Sequence, residues 1–506
     1  MDISTFVNRD LNPAGMVEVL AAMDLAFGEP RRSTRTLLDT FDGRLHAAEM
    51  TLQAVQAGGL HLQLEQHDSL PATVVTGVIP RFAGDLPAGP LGSRVRAVLD
   101  VRALLPLVVF DMRTRTAVQR EAGGRTVATV TVCDEIELPA TVVPPTVTVA
   151  AALGQAKHAD RIAEHLLANG FQPVEHDVLG LVTAAAGVDR HGVTNSATVP
   201  LHRQQPASDG FRAVLLNLLD TMEDSWPGTI TDLDTEFLHD LRVAVRRTRS
   251  IIGQAKRVLP ESLRARYRDE FAWLAGATGP TRDLDAYALE WPRYVAELSA
   301  EDTTALQPVL DHIVRHRGAA HAELVAVLKS ERAIALLADW RIALAMEPVE
   351  QPSQAGEPLG RAIAKRFSQA HHTVVHQGRL IDPESPAEHL HDLRKDAKKL
   401  RYLVECFATA MPGKLRRRFV TQLKGLQDNL GQHQDAEVHA VELAAVAAEL
   451  AQEHAPRDTL VALGALTERL EQSQRDARAE FAERFAAFDS PDTEELFVAL
   501  VEALER

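Results

Sequence analysis

The sequence predicts an α+β protein of two domains. Residues 1–200 are expected to form an N-terminal antiparallel β tunnel or barrel, and residues 205–506 an all-α, internally duplicated domain. Three observations lead to this expectation: strand-like alternation in the first part, helical periodicity from Phe211 onward, and a four-residue motif that occurs twice. A chain of 506 residues is also too long for one hydrophobic core.

Short strands are indicated throughout the first domain. Leu60, Leu62 and Leu64 alternate with polar residues, and the stretch 126–138 is rich in β-branched residues. Frequent Gly and Pro breaks between such stretches favour antiparallel pairing over a parallel sheet. A helix is predicted over 159–169, and the Ser-, Thr-, Gln- and Pro-rich stretch from Gly187 to Gly210 is the best linker candidate.

The repeated motif is His-Asp-Leu-Arg. It stands at His239 to Arg242 and returns at His391 to Arg394, 152 residues later, and the shared register then continues without a gap to Asp435. In that register Leu259-Pro260 falls on Met411-Pro412, Gly279 on Gly431, and Asp283 on Asp435. Solenoid repeats have periods of about 20 to 50 residues, so this longer period indicates one helical lobe duplicated within the chain.

The two lobes are expected at about 208–346 and 357–506. Each should begin with an amphipathic helix (209–226 and 357–377) followed by a basic helix (236–257 and 386–408). Pro260 and Pro412 should end the basic helices and open a third helix. Gly279-Pro280 and Gly431 should interrupt the chain before a fourth helix in each lobe.

Charge is unevenly distributed along the chain. The net charge of −16 argues against a general binder of nucleic acid or of anionic membranes. Residues 239–257 nevertheless carry six Arg or Lys against one Asp, whereas the stretch from Val441 carries six basic and fifteen acidic residues. An anion could therefore bind at a local patch.

The cysteines and the first residues of the chain indicate its cellular compartment. Its two cysteines, Cys133 and Cys406, lie in different predicted domains, which is typical of a reducing compartment. The first residues lack the basic start and apolar core of a signal peptide, and apolar runs are far shorter than the ~20 residues that span a bilayer. A cytoplasmic protein without a membrane partner is expected.

The basic helices concentrate cations on one face. At 100° per residue, His239, Arg242, Arg246 and Arg249 share an arc of about 80°. The equivalent residues of the second copy do the same, and Lys395 widens that face; they are His391, Arg394, Lys398 and Arg401. The third helices add Arg264, Arg266 and Arg268 in one lobe and Lys414, Arg416, Arg417 and Arg418 in the other.

The basic faces allow two interpretations. An isolated charge run is usually a solvated face with ion pairs, here to the acidic tail. Because like charges on one helical face repel each other, a face repeated in register in both lobes is better explained by a bound polyanion. Arg and Lys suit phosphate oxygens, and His adds charge at mildly acidic pH.

Together these residues resemble the CHAD domain, a duplicated α-helical domain with a His-x-x-Arg helix in each half. The resemblance implies binding of inorganic polyphosphate in a central groove or pore. It assigns as ligands His239, Arg242, Arg246, Arg247 and Arg249, with His391, Arg394, Lys395, Lys398, Lys399 and Arg401 as their counterparts. The predicted polyphosphate-binding set also includes Arg264, Arg268, Arg416 and Arg417. Arg282-Asp283 matches the family's Arg-Asp pair, the second copy has Gln434-Asp435, and both aspartates are expected to be helix caps.

The first domain resembles the CYTH fold, an antiparallel tunnel that holds triphosphate and a divalent metal in active members. The resemblance rests on residues 36–45, Thr-Leu-Leu-Asp-Thr-Phe-Asp-Gly-Arg-Leu. The family's Glu-x-Glu-x-Lys strand is absent from residues 1–30, Gln53-Ala-Val stands in place of its Arg-x-Arg, and Gln63 and Glu65 occupy the strand of its lysine. Without inward cations such a tunnel does not offset the charge of a triphosphate. The domain is therefore expected to lack catalytic residues.

Three groups of residues are candidate metal sites. Asp134, Glu135 and Glu137 could bind a metal, but a surface-facing acidic strand is favoured. The pairs His312/His316 and His372/His376 have the i, i+4 spacing that can bind a metal on a helix. Neither pair has a Glu or Cys in the sequence that completes a site, which favours polar surface.

The expected function is binding of inorganic polyphosphate at polyphosphate granules in the cytoplasm, without enzymatic activity and without a cofactor. One alternative is a Mg²⁺-dependent inorganic triphosphatase or polyphosphatase that uses the N-terminal tunnel. A second alternative is RNA binding on the basic faces. The aromatic content of 5% disfavours specific nucleic-acid binding, because single-stranded bases need stacking platforms.

Overall fold

The computed structural model describes residues 3–66, 71–121, 123–134, 136–152, 154–190, 192, 199–296, 298–346 and 352–506. The chain divides into two compact units, residues 1–194 and 195–506. Residues 193–198 of the predicted linker lie outside the described residues, as does Glu135. In the part of the chain that is described, no helix combines the length and apolar character needed to cross a membrane.

The first unit consists of one antiparallel sheet with flanking helices. In chain order its elements are β1 (Ile3–Val7), α1 (Pro13–Ala21), β2 (Arg31–Asp39), α2 (Arg44–Ala47), β3 (Met50–Gln56), β4 (Leu60–Gln66), β5 (Ala72–Val75), α3 (Pro90–Leu99), β6 (Leu105–Arg120), β7 (Thr126–Cys133), β8 (Ile136–Glu137), β9 (Val142–Val143), β10 (Thr146–Ala151), α4 (Ala156–Ala168), β11 (Gln172–Val174) and α5 (Val178–Ala186). The strand order is β11-β1-β10-β7-β6-β2-β3-β4-β5, with β8 paired to β6 and β9. This confirms the predicted antiparallel sheet.

The alternation read from the sequence matches the faces of this sheet. On β4 the side chains of Leu62 and Leu64 are buried against α3 residues such as Val95, whereas Gln63 is only partly buried. Successive side chains of a strand point to opposite faces, so the period of two separates core from solvent. The predicted helix near the end of the domain is α4.

The sheet is open, which corrects the expectation of a closed barrel. Its path ends at β5 and β11, and these two strands are not paired with each other among the described residues. Strand β11 has three residues, and its central Pro173 has no N–H to donate to another strand. Strand β5 has four residues, none of them buried. Such short edge strands have few backbone N–H and C=O groups with which to form the hydrogen bonds that would close the sheet.

The second unit is helical throughout. Its helices are α6 (Ala207–Ile230), α7 (Thr235–Gln254), α8 (Glu261–Ala277), α9 (Gly279–Val295), α10 (Ala300–Ala305), α11 (Gln307–Leu328), α12 (Glu331–Ala345), α13 (Leu359–Arg379), α14 (Ala387–Cys406), α15 (Gly413–Gln452), α16 (Arg457–Phe488) and α17 (Pro491–Glu505). The basic helices are α7 and α14, close to their predicted positions. Asp234 caps α7 by accepting hydrogen bonds from the amides of Glu236 and Phe237.

The third and fourth helices differ between the two lobes. In the first lobe α8 and α9 are separate, and Pro280 stands at the start of α9. In the second lobe α15 continues through Gly431, so the predicted break there is wrong. The residue after Gly431 is Gln432, which has the N–H that Pro280 lacks. The proline, rather than the glycine that both lobes share, therefore determines the break.

Both lobes share one hydrophobic core. Phe211 of α6 and Phe407 of α14 are neighbours in it, with ring centroids 4.8 Å apart. The core continues from these rings to Tyr267 of α8 and Phe419 of α15. Because large aromatic side chains from both lobes are fully buried together, the lobes fold as one unit rather than as two linked domains.

The two lobes are related by a pseudo-twofold axis. The amide of Ala207 donates to the carbonyl of Glu357 at 2.8 Å, and the amide of Leu359 donates to the carbonyl of Gln205 at 2.8 Å. Each bond becomes the other when 152 is added to one residue number and subtracted from the other. Reciprocal contacts of this kind are the signature of twofold symmetry.

Candidate functional site

The two basic helices pack against each other at the pseudo-twofold axis. Arg247 of α7 binds Glu405 of α14 through Nη2 and Oε2, 2.7 Å apart. The Tyr287 hydroxyl of α9 donates to the carbonyl of His439 of α15 at 3.1 Å. Tyr287 and His439 are equivalent residues of the duplication. Helices α7 and α14 are equivalent in the duplication and contact each other, so the axis passes between the two basic helices.

Lys398 shows that the cationic faces of both lobes meet. Burial, followed by the positive charges of Arg394 and Arg246, lowers the pKa of Lys398 to about 7, and Arg242 adds to this effect. Arg246 is the residue equivalent to Lys398, so one cation from each lobe faces its counterpart across the axis. The arginines belong to different helices, yet their charges act on one ammonium group.

Five half-buried cations form what we call the central cluster: Arg242, Arg246, Arg282, Arg394 and Lys398. Helices α7 and α14 contribute four of them, and Arg282 comes from α9. Arg282 acts on Arg242, whose pKa is lowered by burial and by the charges of Arg246 and Arg282. Sequence reasoning left Arg282 out of the predicted set, although its match to the family's Arg-Asp pair was the signal that could have included it.

Two carboxylates accompany the central cluster. Asp283 Oδ1 lies 3.6 Å from Arg242 Nη2, and Asp435 Oδ1 lies 2.8 Å from Arg394 Nη2. The expectation that both aspartates are helix caps is wrong, because Asp435 is in the middle of α15 and Asp283 lies beyond the start of α9. They instead orient one guanidinium group in each lobe.

The central cluster has more positive than negative charge. Its five cations face two carboxylates, and Arg246 and Lys398 have no ion pair within 4.0 Å among the described residues. Nη1 of Arg282 and Nε of Arg394 are buried without a hydrogen-bond acceptor in the described part of the chain. Buried donors normally have acceptors, so these two groups have hydrogen-bonding capacity that the described residues do not use.

Each histidine of the motif stands one turn before a cluster arginine on the same helix. His391 is half-buried on α14, and its Nδ1 contacts Oε1 of Gln434 on α15. In the first lobe Arg282 occupies the position of Gln434. His239 is half-buried on α7. His391 lies one turn before Arg394 on α14, and its contact with Gln434 brings it to the residue that precedes Asp435.

Other residues of the predicted set have acidic partners of their own. Arg401 Nε lies 2.5 Å from Glu405, the carboxylate that also binds Arg247. These two arginines therefore contribute to an ion-pair network between the lobes. Lys395 pairs with Asp392 at 3.0 Å and Lys399 with Asp396 at 2.7 Å, and both lysines are exposed. Arg249 is exposed at the far end of the α7 face.

The arginines of the third helices lie away from the central cluster. Arg264 Nε donates to the carbonyl of Ile252, ten residues beyond Arg242 on α7, or about 15 Å along the helix. Arg268 pairs with Asp269 at 3.3 Å. Arg416 and Arg417 stand at the start of α15, about 28 Å along that helix from Asp435. These four residues therefore lie outside the central cluster.

The N-terminal sheet contains a cation that the sequence analysis did not identify. Arg35 of β2 is half-buried and donates from Nη1 to Oε1 of Gln53 at 3.2 Å. Burial lowers the pKa of Arg35, and Glu65 partly opposes this effect. Glu65 has a raised pKa, with burial as the largest cause. The positive charge of Arg35 is therefore already faced by a carboxylate.

The candidate acidic strand has arginine partners. Asp134 is buried, which corrects the surface-facing expectation for this residue, and its Oδ2 lies 3.7 Å from Arg115. Glu137 is exposed and lies 3.7 Å from Arg32. These two carboxylates belong to ion pairs across the sheet.

Comparison with known proteins identifies the helical unit. Residues 213–444 match the CHAD domain. The chain is similar to the CHAD domain from the plant Ricinus communis (20% identity, 62% of this chain and 97% of that chain, TM-score 0.46). It is also similar to PptA from Streptomyces chartreusis (20% identity, 55% and 99%, TM-score 0.42) and to the PH1819 protein from Pyrococcus horikoshii OT3 (9% identity, 37% and 98%, TM-score 0.26). No curated protein matches the chain.

The N-terminal β-rich unit is consistent with a CYTH-like arrangement whose sheet remains open. The matched residues of the helical unit include both His-x-x-Arg helices and every member of the central cluster. On this match and on the duplicated helical architecture, residues 213–444 of the helical unit form a CHAD domain.

Proposed function

We propose that the helical unit binds inorganic polyphosphate at the central cluster. The observation that supports this most directly is the convergence of Arg246 and Lys398, equivalent residues of the two lobes, which face each other across the pseudo-twofold axis. A polyphosphate chain repeats the same charged unit, so both halves of a pseudo-symmetric site can bind it in the same way. Guanidinium forks and ammonium groups are suitable donors for its oxygens.

The charge balance of the cluster supports a polyanion over a single phosphate. After pairing with Asp283 and Asp435, the five cations leave an excess of three positive charges in a half-buried region when Lys398 is protonated, and of two when it is neutral. Holding like charges together costs free energy in the folded protein, and a ligand with several negative charges removes that cost. A long chain also reaches the exposed residues Arg249, Lys395 and Lys399, which extend the cationic surface.

We also propose that the N-terminal unit does not catalyse phosphate hydrolysis. Its half-buried Arg35 is opposed by Glu65, and the carboxylate of Asp134 lies beside Arg113 and Arg115. A triphosphatase needs surplus cations for the substrate and unpaired carboxylates for Mg²⁺. Localisation of the protein at polyphosphate granules in the cytoplasm would follow from polyphosphate binding by the helical unit.

The test is a calorimetric titration of the full-length protein with long-chain polyphosphate, with tripolyphosphate and with single-stranded RNA of matched total charge. Long-chain polyphosphate should bind most tightly. If the counterion argument for nucleic acids transfers, six to ten phosphate contacts imply an affinity loss of ~10³–10⁵-fold between 50 and 200 mM salt. Equal affinity for RNA would overturn polyphosphate selectivity, and a flat salt response would overturn the multi-contact site.

A further inference from the structure

Helices α11 and α15 bring two histidines and a glutamate together. His312 and His316 lie one turn apart on α11, and their ring centroids are 3.9 Å apart. Glu449 comes from α15, and its Oε2 lies 3.2 Å from Nε2 of His312. One nitrogen from each histidine and one carboxylate oxygen all lie within 4.8 Å of one another. The sequence offers no sign of this third residue, which is 133 positions beyond His316.

The burial of His312 argues against an ordinary polar surface. Its relative exposure is 2%, and its Nδ1 is buried without a hydrogen-bond partner among the described residues. The expectation of polar surface is therefore wrong for this histidine. His316 and Glu449 are exposed, so the open side of the group faces solvent. A buried imidazole beside two accessible ligands resembles a metal site more than a surface hydrogen bond.

We propose that His312, His316 and Glu449 form a binding site for a divalent transition-metal ion of the Zn²⁺ type. Zinc binds histidine nitrogen and carboxylate oxygen at about 2.0–2.2 Å in tetrahedral geometry, which implies a separation of about 3.4 Å between two ligand atoms. The 3.2 Å between His312 and Glu449 is close to this separation. Water on the exposed side supplies the fourth ligand.

The contact with Glu449 identifies the nitrogen of His312 that faces the ion. Nε2 lies beside Glu449 Oε2, so Zn²⁺ would bind this nitrogen. A neutral imidazole bound to metal through Nε2 carries its ring proton on Nδ1, so binding selects this tautomer and releases no proton from the ring.

The location of the site assigns it a structural role. Helix α11 belongs to the first lobe and α15 to the second, so a metal ion here would link the lobes. The apolar cluster beneath it contains Ile313 of α11 together with Leu443 and Leu450 of α15. Glu449 is about 21 Å along α15 from Asp435 of the central cluster. The metal site is therefore distinct from the proposed polyphosphate site.

The chain contains a matched control for this proposal. His372 and His376 on α13 have the same i, i+4 spacing, and both are exposed. Their ring centroids are 6.0 Å apart, and no third ligand joins them among the described residues. A helical histidine pair alone binds metal weakly, so the comparison isolates the contribution of the third ligand.

The experiment titrates the untagged full-length protein with Zn²⁺ by calorimetry in phosphate-free buffer, and with Co²⁺ by visible absorption. Wild-type protein should bind one equivalent of Zn²⁺, show the intense Co²⁺ absorption of tetrahedral coordination, and melt at a higher temperature with metal. His316→Ala and Glu449→Gln alter exposed residues and should each lower the affinity roughly tenfold or more. His376→Ala should bind as wild type.

Two results would overturn the proposal. One is wild-type protein that binds no Zn²⁺. The other is Zn²⁺ binding of unchanged affinity and stoichiometry in both Glu449→Gln and His316→Ala, which would place the metal elsewhere. Circular dichroism of each variant without metal establishes that a loss of binding is not a loss of folding.

Discussion

Lys398 should make polyphosphate binding depend on pH. Because burial and neighbouring arginines lower its pKa to about 7, roughly half of this side chain is neutral at pH 7 and about nine-tenths at pH 8. A bound polyanion supplies the negative charge that the site lacks, so it should raise this pKa towards the ordinary value of 10.5. Binding should therefore be accompanied by uptake of a proton.

The magnitude follows from the two pKa values. If the pKa moves from about 7 in the unbound protein to about 10.5 in the complex, binding takes up about half a proton at pH 7 and about 0.9 of a proton at pH 8. The affinity should then fall about fivefold from pH 7 to pH 8 and about ninefold more from pH 8 to pH 9. Lysine with an ordinary pKa would show almost no change over this range.

The assay is calorimetry with long-chain polyphosphate at pH 7, 8 and 9, in pairs of buffers that differ in ionisation enthalpy. The difference in binding enthalpy between the buffers gives the number of protons taken up. Lys398→Arg is the matched control, because the equivalent position in the first lobe is already Arg246. Arginine stays protonated throughout this range, so the variant should bind with a nearly flat pH profile and little proton uptake.

Two outcomes would refute the reasoning. If wild-type affinity is constant from pH 7 to pH 9, Lys398 does not approach the ligand. If Lys398→Arg takes up as many protons as wild type at pH 8, another group is responsible, and the convergence of the two lobes on Lys398 loses its support.

Further outcomes test the central cluster and the N-terminal unit. The double variants Arg242→Ala/Arg246→Ala and Arg394→Ala/Lys398→Ala should each lower polyphosphate affinity at least roughly tenfold, as charge-assisted contacts contribute about 1.5–3 kcal/mol each. Arg475→Ala removes a surface arginine that pairs with Glu468, and it should leave the polyphosphate affinity unchanged. A loss of affinity in only one of the two double variants would contradict a shared site. Lys398→Met should raise the melting temperature while weakening binding, because it removes a half-buried cation from among like charges; a lower melting temperature would contradict this. Without ligand, the folded protein binds fewer protons than the unfolded chain from about pH 7 to 10.5, so the contribution of Lys398 to stability should rise with pH in that window. The full-length protein should release no phosphate from tripolyphosphate with Mg²⁺ or Mn²⁺, and release above a protein-free control would favour the hydrolase alternative.

Local patterns in the sequence were sufficient to predict the strands, the helices and the duplication. The period of two that places Leu62 and Leu64 in the sheet core, and the helical period of the basic faces, both depend on neighbours a few residues away. The 152-residue register depends only on comparing the chain with itself. The predicted helix break at Gly431 was wrong, because a glycine without a neighbouring proline such as Pro280 does not end a helix by itself.

Tertiary structure decided which charges act together. The helical wheel places Arg246 and Lys398 on equivalent faces, but only the packing of α7 against α14 brings them to one axis. The same packing assigns Arg247 and Arg401 to the ion pair with Glu405, and it leaves four predicted arginines on the third helices outside the cluster. Partners of a charged side chain are set by contacts between residues far apart in the chain, and neither spacing nor composition records those contacts. Glu449 beside His312 is the clearest example: both residues lie in the domain that the sequence predicts to be helical, yet their contact exists only because α11 and α15 share a core.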